Sequence, residues 1–76
     1  MLVWDTSEPL ESDKGLLVFV SFTKTNTSFK TIVVNPVTGV EIMLYQHDVL
    51  EIQGSSYVLT SYRTSPLRFI FHKIIL

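Results

Sequence analysis

Alanine, the strongest helix former, does not occur in these 76 residues, whereas valine, isoleucine and threonine occur 9, 6 and 8 times. Side chains branched at Cβ are stiff at χ1, lose freedom against the preceding turn of a helix and pack well on a pleated, half-buried sheet. The sequence therefore specifies an all-β protein. With 46% apolar and 17% charged residues, the chain carries too much greasy surface and too little charge to stay disordered. No cysteine is present, so neither disulfides nor thiolate-bound zinc can compensate for a small core.

Strands follow from runs of alternation between turn residues. Residues 16–22 place Leu16, Val18, Val20 and Phe22 on one face and Leu17 and Phe19 on the other. A strand apolar on both faces asks for cover on both. The polar stretch Lys24 to Thr27 reads as a hairpin loop into a second strand, 28–34. Asn35-Pro36-Val37-Thr38-Gly39 reads as a second tight connection, because Pro36 presets φ and Gly39 accepts a positive one. Strand 40–46 sets Val40, Ile42 and Leu44 against Glu41, Met43 and Tyr45. Gln53-Gly54-Ser55-Ser56 turns between strands 49–53 and 56–62, and Ser65-Pro66 stops the latter. The run 67–76 puts Leu67, Phe69, Phe71 and Ile75 on one side and Arg68, Ile70, His72, Ile74 and Leu76 on the other.

These pieces predict a small five- to six-stranded antiparallel barrel or sandwich, an SH3-like or OB-like meander, over residues 16–76. Residues 1–15 read as an acidic N-terminal arm, with Asp5, Glu8, Glu11 and Asp13 before the first cation; Leu2 to Trp4 form at most a short edge strand there. The stretch from Asp48 to Leu59, with Gly54 and Tyr57, resembles the glycine-turned hairpin of SH3-like barrels, among them KOW-type domains and phage head-closure proteins. That resemblance implies a barrel, and no functional residue is carried over from it.

No constellation for catalysis is evident. Serines lie in turns or alternate along strands, and no Gly-x-Ser-x-Gly elbow exposes one. Adjacent side chains on a strand face opposite ways, so His47 and Asp48 read as a solvated junction, not half of a relay. His47, Asp48 and Glu51 have no recognised ligand spacing, and His72 would reach them only through strand pairing, so no metal site is expected. The glycines stand singly, each explained by a turn, and none opens a phosphate-binding helix. Asn26-Thr27-Ser28 fits the glycosylation acceptor pattern and equally fits a polar hairpin loop. No enzyme activity, cofactor or small-molecule substrate is expected.

Charge distribution is more informative. Six basic and seven acidic residues leave a net charge of −1, too little to keep copies apart by long-range repulsion. The C-terminal region holds Arg63, Arg68 and Lys73 with no acid. The first expectation is a protein-binding or assembly module that self-associates, of the kind found among viral or phage accessory proteins, using the apolar outer side of the last strand: Arg68, Ile70, His72, Ile74 and Leu76. The alternative is a barrel binding single-stranded nucleic acid through Tyr57, Tyr62, Arg63, Arg68 and Lys73, cations for phosphates and rings for bases. Three cations are few for that task. No segment has the composition of a signal peptide or a membrane-spanning helix, and a cytoplasmic location, in a cell or an infected host, is expected.

Overall fold

The computed structural model describes residues 1–75 and is all-β, as the composition requires. Its strands are β1 (Leu2–Asp5), β2 (Leu10–Ser12), β3 (Gly15–Lys24), β4 (Phe29–Val34), β5 (Glu41–Tyr45), β6 (Val49–Ile52), β7 (Ser55–Arg63) and β8 (Arg68–Lys73). They form two antiparallel four-stranded sheets, ordered β1-β8-β7-β6 and β2-β3-β4-β5, one of them curled into a half-barrel. One edge of each sheet meets the other where β2 approaches β6 and Asp13 N–H donates to Glu51 O at 2.9 Å.

The strand count exceeds the expected five to six because residues 1–15 are built into the sheets. β1 pairs with β8 in the register Trp4 with Phe69, and β2 pairs with β3 in the register Leu10 with Leu17. Trp4 and Leu10 are buried, and Trp4 Nε1 donates to Glu8 O at 2.7 Å. The acidic run does not stand off as an arm: its charges occupy partly or fully exposed positions while Trp4 and Leu10 enter the core and Leu2 packs against it.

Turn chemistry follows the sequence closely. Asn35 Oδ1 accepts the amides of Val37 and Thr38, Gly39 has φ of 75°, and β4 and β5 emerge as a hairpin. Gln53 and Gly54 have φ of 52° and 77°, positive at both positions as a type I′ connection between β6 and β7 requires. The Thr25 hydroxyl closes the β3–β4 loop, donating to Ser28 O and accepting the Ser28 amide.

Two irregularities decide which side chains point inward. Between Phe19 and Ser21 the β3–β4 register shifts by one residue, and between Leu59 and Ser61 the β7–β8 register does the same. Val20 and Thr60 are the extra residues of these bulges. Leu17 and Phe19 face inward before the first bulge and Phe22 after it, opposite Thr31. The strict alternation expected for β3 is thereby broken: Phe22 leaves the face of Leu16 and Val18. Phe69 is wholly buried among Trp4, Phe19, Phe22 and Phe29, with ring centroids 5.7 to 6.4 Å away. Thr31 is the buried polar residue; its hydroxyl donates to Ser21 O at 2.8 Å beside the bulge, so the group is satisfied.

Candidate functional site

β8 does not lie at an edge of its sheet. β1 and β7 flank it on both sides, pairing Ile70 with Val3 and with Ser61. Ile70 is 4% exposed within the single chain, so it is not available to a partner, a correction to its place in the expected interface. Arg68 is half-buried and donates to Pro66 O and Thr64 O in its own turn. His72 is exposed and Ile74 is half-buried, its amide donating to Ser56 O at 2.8 Å. Leu76 lies outside the described residues. Ile75, expected on the core side, is 87% exposed because β8 ends at Lys73 and the alternation ends with it. The outer face of this sheet is mixed: Val3, Val49 and Val58 share it with Glu51, Ser61, Arg63, Arg68 and His72.

The structure divides the residues of the nucleic-acid alternative between the two sides of the β1-β8-β7-β6 sheet. Tyr57 and Tyr62 belong to the inner side, Tyr62 with its ring 4.7 Å from Phe22 and 5.0 Å from Phe29. Arg63 pairs across the ladder with Arg68 on the outer side. Lys73 sits opposite Tyr57 at the far end of the same ladder. Arg63 and Arg68 therefore lie on the opposite side from both rings, and of the three cations Lys73 alone is set beside one, Tyr57.

The second sheet presents the more coherent surface. Its register places Leu16, Val18, Ile32, Val34, Met43 and Tyr45 on one outer side together with Ser21 and Thr23: Val18 lies opposite Val34, Ile32 between Ser21 and Met43, and Lys30 between Thr23 and Tyr45. The bulged Val20 adds a side chain 45% exposed. Leu16, Val18, Ile32 and Val34 are partly buried on this side, and Met43 and Tyr45 are exposed. Its charged members are segregated along the strands. Glu11, opposite Leu16, and Glu41, opposite Val34, stand at one end. Lys30, opposite Thr23 and Tyr45, stands at the other, its Nζ 5.8 Å from the Tyr45 ring centroid. Single-sequence alternation registered this surface only as a strand apolar on both sides; its breadth depends on which strands are neighbours.

The open edge of this sheet is partly closed by the chain itself. Val40 O and Gln46 N bond toward β4, so by alternation the main-chain groups of Glu41, Met43 and Tyr45 point to the free edge. Asp48 takes both of Tyr45's: its carboxylate accepts the Tyr45 amide at 2.8 Å and its own amide donates to Tyr45 O at 3.0 Å. Asp48 thus acts as an edge cap, and neighbouring His47, at φ of 76°, donates its amide to Leu59 O at 2.7 Å.

Concave sites are small. A cleft of about 260 Å³ lies between the Thr25–Ser28 loop and Phe29, Gln46, Ser61 and Tyr62. Gln46 Nε2 already donates to Thr60 O there, and no buried side-chain polar atom among the described residues lacks a partner. Among those residues no three His, Asp or Glu side chains converge as a metal site, and no helix is long and apolar enough to cross a membrane. No protein-family description, curated protein or solved structure matches this chain.

Proposed function

We propose that this domain is a non-enzymatic assembly module that works by docking a sheet face onto protein, its own copies in particular. One observation carries the reading: the outer side of β3, β4 and β5 gathers Val18, Val20, Ile32, Val34 and Met43 around Ser21, with charge at both ends, while the eight described strands are all placed in the two sheets. Contiguous patches of this kind on small soluble domains mark interaction sites, whereas single exposed apolar residues do not. A net charge of −1 leaves little repulsion to oppose association. Docking through this face replaces the expected use of the β8 side, where Ile70 is already enclosed. Edge-to-edge strand addition at β5 is the weaker route, since the Asp48 cap leaves only Glu41 and Met43 to offer main-chain groups.

Light scattering over a micromolar concentration series tests the reading. The expected result is a species at a multiple of 8.7 kDa. Val20→Asp and Met43→Asp, each at a position more than 40% exposed, dissociate it with unchanged circular dichroism. Val37→Asp, in the exposed turn, leaves it intact. A wild-type chain of 8.7 kDa at every concentration overturns the proposal.

A further inference from the structure

Resting on that reading, we infer that the occupant of this face is a second copy docked with its strands antiparallel, about a two-fold axis that crosses the strands near Ile32. The argument is one of charge. A closed dimer buries the same patch on both copies, and a two-fold axis lying in the contact plane relates them. Only two orientations respect the grain of the sheet. An axis along β4 lays Lys30 against Lys30 of the partner subunit and leaves the acidic end facing itself. An axis across the strands reverses each strand end for end, so the Lys30 end of one copy covers the Glu41 end of the other.

Register makes the second arrangement specific. Lys30, Ile32 and Val34 are successive outward positions on β4, with Tyr45, Met43 and Glu41 opposite them on β5. Reversal about Ile32 sets Ser21, Ile32 and Met43 over their own copies at the centre. It carries Lys30 over Val34 of the partner subunit, one strand spacing of about 4.8 Å from the partner's Glu41. That offset is within reach of a lysine stem, which lies along Val34 while its ammonium meets the carboxylate. Two such contacts form per dimer, and Glu11 adds to the field at the acidic end. The rim pairs thus select orientation, and the apolar centre supplies the attraction.

Charge reversal tests the geometry. Lys30→Glu and Glu41→Lys each turn two attractive contacts into repulsive ones and raise the dimer dissociation constant roughly ten- to thirtyfold. An equimolar mixture of the two variants forms a heterodimer of near wild-type affinity, because reversed charges again face opposite ones. Sedimentation equilibrium of the singles and the mixture reads both effects. As a second measurement that needs no variant, the wild-type dissociation constant rises with sodium chloride. A dimer whose affinity changes less than twofold in the single variants, ignores salt, or fails to recover in the mixture overturns this orientation and leaves self-association standing. A chain that stays monomeric overturns both.

Discussion

Phe19 and Phe22 point to the same side of β3 although their spacing of three would place them on opposite sides of a regular strand. Val20 is the reason: it is unpaired in the ladder, and the strand resumes one residue out of phase at Ser21. Deleting Val20 leaves Phe19 and Phe22 two residues apart, so a regular ladder keeps both inward with Ser21 still opposite Ile32. The deletion is therefore expected to cost far less than the roughly 3–5 kcal/mol of losing a buried phenylalanine, which is comparable to the whole stability of so small a domain. Val20→Ala keeps the phase and costs less than about 1 kcal/mol. Urea unfolding followed by circular dichroism measures both; a deletion variant that loses as much stability as Phe22→Ala would show that the bulge does not set the phase.

Thr31 belongs to the same feature. Its buried hydroxyl donates to Ser21 O, so Thr31→Val keeps the shape and strips a carbonyl of that donor. A loss of about 1–3 kcal/mol is expected by urea unfolding, against no loss for Thr38→Val in the exposed Asn35–Gly39 turn beyond the weak bond its hydroxyl accepts.

Gly15 and Gly54 share a positive φ and differ in surroundings. At Gly15, φ is 97° and an added Cβ would lie 2.8 Å from Asn35 Nδ2; at Gly54, φ is 77° and no atom lies within 4 Å. Gly15→Ala is expected to cost about 1–3 kcal/mol, since strain and contact add. Gly54→Asn costs no more than a few tenths, asparagine being at home in the left-handed region. Thermal melts of the two variants check this, and a Gly15→Ala protein as stable as wild type would contradict it.

Trp4 ties the first strand to the core at 3% exposure, 5.7 Å from Phe69. As the single tryptophan, it reports its own surroundings. Its emission should lie well to the blue of free indole and shift red in one step with the far-ultraviolet transition on unfolding. Red emission from the native protein would mean that residues 1–15 stand off after all. Trp4→Ala is expected to cost about 3–5 kcal/mol.

Asp5 gives the domain an acid-side dependence. The Ser7 amide, at 2.9 Å, and then the Ser7 hydroxyl, at 2.8 Å, donate to its carboxylate, and Arg68, its ladder partner, adds positive charge. These outweigh slight desolvation and hold the pKa below the ordinary 3.8. Because folding lowers this pKa, the stabilisation is present above the unfolded value and is lost as pH falls through the lower folded one. Asp5→Asn should flatten the fall in stability on acidification below about pH 4 while leaving its shape near neutrality unchanged. Urea titrations at stepped pH measure the slope; identical slopes for both proteins would remove Asp5 as a contributor.

The sequence alone determined what depends on local chemistry. Missing alanine and abundant β-branched side chains dictate strands, and Asn35 to Gly39 and Gln53-Gly54 dictate two hairpins. Alternation in residues 40–46 puts Ile42 and Leu44 inside, where they are. Tertiary structure decided everything that turns on neighbours. Whether Ile70 is greasy surface or enclosed depends on β1 crossing to lie beside β8, a pairing between residues more than sixty positions apart that no local pattern encodes. Likewise Val20 reads as one more alternating valine until pairing with β4 leaves it unmatched. The apolar face of β3, β4 and β5 exists only once three separate strands are aligned, because a surface is a property of adjacent chains and alternation is a property of one.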